Sequence, residues 1–252
     1  MNGQETNQMS DILSHVDSET WVIFDVDNTL IESSLHLGSA QWRGHIRKKA
    51  LDLGYTDAES EKILDNFWKF VQPLIPVRLV DKKTESIIKQ LKEDGVVTLA
   101  LTAREPDEVE HTERQLEEVN ISFSNDVVKE NLFLSTSHPG LLKNNVVYCG
   151  ENTKSEAVLA FFKELGLLPK KVVFVDDKWD QIYDVEKALS ILGVENICIR
   201  FGGADERVSS FSSEIADLQW GFLPKIVSDE EVISGNFYFQ LDKMLAKKKE
   251  ED

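Results

Sequence analysis

Five short apolar runs constrain this chain most: Trp21-Val22-Ile23-Phe24, Val96-Val97-Thr98-Leu99-Ala100-Leu101, Val146-Val147-Tyr148-Cys149, Val172-Val173-Phe174-Val175 and Ile197-Cys198-Ile199. They are rich in β-branched residues and nearly free of polar interruptions, the pattern of strands buried on both faces. Helical periodicity fills the intervals Glu105 to Val119, Lys154 to Leu165 and Trp179 to Leu192. Strand and helix in alternation predict an α/β fold built on a doubly wound, Rossmann-like parallel sheet. No internal repeat or low-complexity tract interrupts it.

The stretch of about 60 residues between the first two runs, Ser33 to Gly95, is too long for a simple crossover. Its centre opens with Thr56-Asp57-Ala58-Glu59, a capping-box pattern, and continues with Ile63, Leu64, Phe67, Trp68 and Val71 at helical spacing until Pro73 and Pro76 end it. A second pattern, Ile87-Ile88-Leu91, stops at Gly95 and returns the chain to the sheet. The expected organisation is a core of residues 14–32 and 81–225, a small helical cap of residues 33–80 inserted after the first strand, and a C-terminal helix with a charged tail over 226–252. The final Lys247-Lys248-Lys249-Glu250-Glu251-Asp252 reads as a solvated tail.

With 28 basic and 45 acidic residues the net charge is −17, which argues against a polyanionic partner or an anionic bilayer. Cys149 and Cys198 fall inside apolar runs and read as buried free thiols rather than a disulfide or redox pair. The first residues lack a basic segment followed by an apolar one, and no apolar stretch reaches membrane-spanning length. The expected location is cytoplasmic, with no nucleic-acid or membrane partner. Oligomeric state is not legible here.

Polar clusters stand at or just beyond the ends of these runs: Asp25-Val26-Asp27-Asn28-Thr29, Thr102-Ala103-Arg104, Thr153-Lys154 and Asp176-Asp177. In an open parallel sheet such ends meet at one edge, where ligands bind. Together they offer carboxylates for a hard cation, a hydroxyl and an ammonium for phosphate, and a candidate nucleophile. Asn28-Thr29 marks a turn after Asp25 and Asp27, so one carboxylate can attack phosphorus, forming an aspartyl-phosphate, while the other handles protons. The plainer reading of this segment is a turn and helix cap. A calcium loop of the EF-hand type fails, because its sixth position is Leu30 and its twelfth is His36.

Two adjacent carboxylates closing a buried run are costly without a cation or hydrogen bonds. Mg²⁺ fits, held by one carboxylate oxygen each from Asp25 and Asp176 and by the Asp27 carbonyl, with Asp177 or Asp180 completing the shell or lying just outside it. Without a metal, Asp177 would cap a helix. Thr153-Lys154-Ser155-Glu156 has the capping-box form and puts Lys154 in a first helical turn, where a cation opposes the helix dipole and a nearby anion relieves the conflict. The Thr102 hydroxyl and the Ala103 N–H can bind phosphate oxygens, and the strand end aims Arg104 at the same place. Receiver domains use similar residues in another order: there the Asp pair comes early, the phosphorylated Asp mid-chain and the Lys last. Here Lys154 precedes the final Asp pair.

Phe24-Asp25-Val26-Asp27-Asn28-Thr29-Leu30, Thr102, Lys154 and Val175-Asp176-Asp177 resemble the four motifs of the haloacid dehalogenase (HAD) superfamily. Leu37-Gly38-Ser39-Ala40-Gln41-Trp42, Leu101-Thr102-Ala103-Arg104, Phe201-Gly202-Gly203-Ala204-Asp205 and Ile215-Ala216-Asp217-Leu218-Gln219-Trp220 resemble a HAD-like bacterial family of undefined function. An acidic residue two after the nucleophile, here Asp27, accompanies phosphatases and phosphomutases in that superfamily. The resemblance thus implies a Mg²⁺-dependent phosphomonoesterase acting on a small phosphorylated substrate, with Asp25 as nucleophile, Asp27 as acid/base, Thr102 and Lys154 on the phosphate and Asp176 on the metal. Substrate choice would fall to the cap, whose polar candidates are Glu32, His36, Gln41, Trp42, Arg43 and His45. Arg43 or His36 could grip an anionic group there, against solvated or structural roles for both. The alternatives are a HAD-fold binding or effector protein acting through a partner, and a phosphotransferase or phosphomutase sharing every site residue.

Overall fold

The computed structural model describes residues 4–123, 127–128 and 131–234. The Lys247–Asp252 tail lies outside them. The strands are β1 (Gln4–Thr6), β2 (Thr20–Phe24), β3 (Ile31–Ser33), β4 (Val77–Leu79), β5 (Val97–Thr102), β6 (Leu132–Leu134), β7 (Gly140–Lys143), β8 (Val146–Tyr148), β9 (Lys171–Asp176) and β10 (Glu195–Phe201). The helices are α1 (Ala40–Asp52), α2 (Asp57–Val71), α3 (Thr84–Glu93), α4 (Val109–Glu118), α5 (Lys154–Leu165), α6 (Trp179–Ile191), α7 (Asp205–Ser209), α8 (Ser213–Gly221) and α9 (Asp229–Ile233).

Alternation along the central strands builds two apolar layers at once. Val22, Phe24, Val173 and Val175 pack with Ile87, Ile88 and Leu91 of α3 and Leu116 of α4. Their neighbours Trp21, Ile23, Val172 and Phe174 pack in the opposite layer with Phe161 and Phe162 of α5 and Val185 and Leu189 of α6. Each such side chain contributes about 1.5–3 kcal/mol by leaving water, which is why both faces of these strands must be apolar. The sheet order is β1-β10-β9-β2-β5-β8-β7-β6. Pairs from β1 to β8 are parallel, and β7 and β6 form an antiparallel edge. From β2 the chain winds outward through β5 to β8, then returns through α5 to β9 on the other side of β2. The winding therefore reverses at β2, the place where α/β sheets open a crevice at their carboxyl ends.

The described residues form two compact units, one of residues 4–32 with 77–206, the other of Ser33–Pro76 with residues 207–234. The first contains the sheet. The second contains α1 and α2, joined by α8 and α9, around Leu37, Trp42, Trp68, Val71, Ile75 and Ala216. There Thr56 and Glu59 make a reciprocal capping box at α2. Gln219 is buried, accepting from the Leu37 N–H at 2.9 Å and donating to the Val227 carbonyl at 3.0 Å. A cavity of about 410 Å³ within this unit is walled by Trp42, Ile46, Phe67 and Trp220.

The boundaries differ from those read in the sequence. Residues 77–80 belong to the sheet unit, where the Val80 N–H donates to the Leu30 carbonyl at 3.1 Å and the Val77 N–H to Glu118 at 3.1 Å. Residues 207–225, assigned to the core, belong to the helical unit because Ala216, Gln219 and Trp220 pack there. The insertion follows the third strand, not the first, since β1 and β2 precede β3 at its start.

Candidate active site

The ends of β2, β5 and β9 and the first turn of α5 carry the polar clusters, all in the sheet unit. Register explains their meeting. Phe24 pairs with both Ala100 and Val175, and the Asp25 N–H continues the ladder to the Val175 carbonyl at 2.8 Å, which puts Asp25 beside Asp176. Beyond Asp25 the chain turns at Asn28 with φ 65°, a left-handed conformation that Asn tolerates. Its side-chain amide donates to Asp177 Oδ2 at 3.3 Å.

Lys154 comes from the loop that follows β8, which runs parallel to β5 and ends at the same edge. Asn152 pins the loop before α5 by donating to the Cys149 and His138 carbonyls at 2.7 and 3.0 Å and accepting the His138 N–H at 2.8 Å. Thr153 then caps α5 by accepting the Glu156 N–H at 3.2 Å. The expected reciprocal bond of a full capping box is missing, because Glu156 Oε1 accepts from the Ser137 N–H and hydroxyl instead. The Lys154 ammonium, on a side chain only 4% exposed, donates to Asp25 Oδ1 at 2.5 Å and to Asp176 Oδ2 at 2.6 Å. Asp176 Oδ1 accepts the Lys178 N–H at 2.9 Å.

One ammonium bonds two carboxylates, and a third, Asp177, lies close by. Oxygens of Asp25, Asp176 and Asp177 lie within 4.8 Å of one another, a grouping that could hold a metal ion. Asp25 Oδ2 is buried without a hydrogen-bond partner among the described residues. A cation facing that oxygen would satisfy it, and an all-carboxylate donor set suits a hard divalent ion. Burial and the nearby charges of Asp176 and Asp177 raise the Asp25 carboxyl to about 7 against the pull of Lys154. Burial and Asp176 raise Asp177 to about 6. For Lys154, burial works against the charged form, but the two carboxylates outweigh it and raise the ammonium above its ordinary value. Asp180 is exposed and outside the cluster; Asp177 is its third member.

Asp27 is held apart from this group. Arg104 donates to it through Nε at 2.9 Å and Nη2 at 2.8 Å, and its Nη1 reaches Thr112 at 3.1 Å. Burial pushes the Asp27 carboxyl up, but the Arg104 guanidinium, with Lys178 and Lys154, holds it below the usual carboxylate range. The Arg104 fork is committed to Asp27 and Thr112. Thr102 is buried at the end of β5, its hydroxyl accepting the Arg104 N–H at 3.2 Å, and Ala103 is exposed.

Arg43 and His36 belong to the helical unit and have partners there. Arg43 pairs with Asp65 at 3.0 Å and lies over the Trp68 ring at 5.5 Å. His36 is buried, accepting the Ser212 N–H at 3.1 Å and facing Asp229 at 3.6 Å. These contacts account for both side chains structurally. The sequence marks Asn28 only as a turn residue; its bond to Asp177 and the Lys178 N–H on Asp176 carry no sequence signal. Cys149 and Cys198 are free and buried, and burial raises each thiol to about 12.

An α/β protein with a carboxylate triad at the carboxyl edge of a parallel sheet is thus defined. The chain belongs to the family described as "Protein of unknown function (DUF2608)", whose model matches residues 5–233. A Chlamydia pneumoniae relative named "Putative outer membrane protein" is 20% identical over 210 residues, covering 83% of this chain and 79% of the relative. A Chlamydia trachomatis relative with the same name is 22% identical over 222 residues, covering 88% and 83%. Among solved structures, a haloacid dehalogenase-like hydrolase from Streptococcus pneumoniae aligns with a TM-score of 0.47 at 14% identity, over 88% of this chain and 99% of that one. The expected cytoplasmic location is overturned by the names of the Chlamydia relatives and is withdrawn. No helix among the described residues is long and apolar enough to cross a membrane.

Proposed function

We propose that this protein is a Mg²⁺-dependent phosphatase of HAD type that hydrolyses a small phosphomonoester through an aspartyl-phosphate. The observation that carries the reading is the cluster of Asp25, Asp176 and half-buried Asp177, with Lys154 bonded to the first two and one oxygen of Asp25 left without a partner among the described residues. Asp25, Asp176 and Asp177 would hold Mg²⁺, with the Asp27 carbonyl as a further donor. The ion would neutralise charge on the transferring phosphoryl group and on Asp25.

Asp25 attacks phosphorus. Lys154 lies against the same carboxylate and can follow the charge as it passes to the phosphoryl oxygens. The Thr102 hydroxyl and the Ala103 N–H supply donors at the neighbouring strand end. Asp27, kept ionised by Arg104, is in the state needed to draw a proton from water in the second displacement. Protonating the departing oxygen in the first requires that pair to loosen.

Substituting Asp25→Asn should lower Mg²⁺-dependent phosphate release from an aryl phosphate by about 10⁴-fold or more, the scale of losing a nucleophile. Substantial residual release in a folded Asp25→Asn protein would contradict the proposal and favour a binding role for the site.

A further inference from the structure

Phe201-Gly202-Gly203-Ala204-Asp205 is singled out by the sequence and has no part in the chemistry above. In the structure it closes around Arg200. That residue sits in register between Asp176 on β9 and Glu5 on β1. Its Nε donates to the Asp177 carbonyl at 2.9 Å. Its Nη1 donates to Glu5 at 2.8 Å and to Asp205 Oδ2 at 2.5 Å, and its Nη2 donates to Asp205 Oδ1 at 2.5 Å. The fork is thus gripped by two carboxylates while its Nε–H holds the backbone of a triad residue.

The glycine explains how the grip fits. A Cβ on Gly202 would fall 2.7 Å from Arg200 Nη1 and 3.0 Å from Asp205 Oδ2, and would also collide with the Asn7 side chain. Any larger residue there makes the Asn7, Arg200 and Asp205 side-chain ends shift from these positions. The turn is further fixed by the Gly202 N–H donating to the Thr6 carbonyl at 2.8 Å and the Asp205 N–H to the Gly202 carbonyl at 3.2 Å. Without such an anchor, two like-charged neighbours, Asp176 and Asp177, would favour a swing of the Asp177 loop away from the triad.

We infer that Arg200, clamped by Glu5 and Asp205 over Gly202, is a positioning residue that holds the Asp177 backbone so that its carboxylate stays in the metal-binding triad. This rests on the phosphatase reading only in taking the triad to bind Mg²⁺. A lysine cannot reproduce it, because one ammonium cannot offer a planar fork to Asp205 and a separate N–H to the carbonyl.

The test is a calorimetric titration of the full chain with Mg²⁺ alone, alongside thermal melts without metal. Arg200→Gln and Gly202→Ala should each melt cooperatively yet bind Mg²⁺ about 10–100-fold more weakly, the usual cost of losing a residue that orients a ligand. Arg200→Lys should recover part of the affinity, and Asp205→Asn gives a second route to a loosened fork should Arg200→Gln fail to fold. Folded variants that bind Mg²⁺ like the unsubstituted chain would overturn the inference and leave the phosphatase reading intact. An unsubstituted chain that binds no Mg²⁺ would overturn both.

Discussion

Asp25 and Asp27, two residues apart, are given opposite protonation behaviour by their surroundings. Asp25, raised to about 7, keeps in the folded state a proton that an ordinary carboxyl releases near 3.8. Its contribution therefore lowers stability as pH rises between those values. Asp27, held below its ordinary value by Arg104, contributes stability that is present above about pH 3.8 and lost as pH falls through its folded value. Urea denaturation of metal-free protein should accordingly show a shallower loss of stability between about pH 4 and pH 7 in Asp25→Asn; an unchanged slope would contradict the assignment. Because Asp25 and Asp177 must both shed protons to bind a cation, Mg²⁺ affinity should strengthen as pH rises through about 6 to 7. An affinity independent of pH there would count against them as ligands. The Asp27–Arg104 pair is asymmetric: the Arg104 side chain is 4% exposed and that of Asp27 32%. Asp27→Ala, which strands a buried guanidinium, should cost ~3–5 kcal/mol. Arg104→Met should cost less, since water reaches Asp27, and the reverse order in urea melts would refute the asymmetry. The strand-end clusters were legible because carboxylates, a hydroxyl and an ammonium at the ends of apolar runs have few other reasons to be there. The partners of Arg104, His36 and Arg43 were not, because they come from residues distant in sequence: Asp27 for Arg104, Ser212 and Asp229 for His36, Asp65 and Trp68 for Arg43.

At the scale of elements, the cap of α5 sets where Lys154 begins. Thr153→Ala removes the acceptor for the Glu156 N–H and should cost about 0.5–2 kcal/mol of stability. It should also reduce phosphate release beyond what that loss explains. Thr56→Ala, which removes the cap of α2, provides the control with a similar loss in the helical unit. Equal effects of the two substitutions on turnover would argue against α5 as the positioning element. The central strands and α5 and α6 could be read from periodicity because burial on two faces leaves no polar positions. β1 is Gln-Glu-Thr, exposed or half-buried along its length, and leaves no apolar trace. α1 buries only Trp42 and Ala50, too few to mark a stripe, and the β6–β7 edge is short and partly exposed.

The whole molecule carries −17 charges, and the triad concentrates part of that excess in a buried place. Raising ionic strength from about 10 mM to about 150 mM shortens the screening length from about 30 Å to about 8 Å and should raise the melting temperature of metal-free protein. A melting temperature that falls would show that attractive pairs outweigh the repulsion. The alternation of strand and helix announced the sheet unit, but the helical unit could not be delimited from sequence. Its second segment begins at Arg207, far along the chain from Ser33–Pro76, and joins through packing and through Gln219. The central claim is that Asp25 carries the phosphoryl group, and acid-quenched turnover with Mg²⁺ and an aryl phosphate followed by peptide mass spectrometry tests it most directly. The account predicts a phosphoryl adduct on the peptide containing Asp25, absent in Asp25→Asn; phosphate release with no adduct there, or an adduct elsewhere, would contradict it.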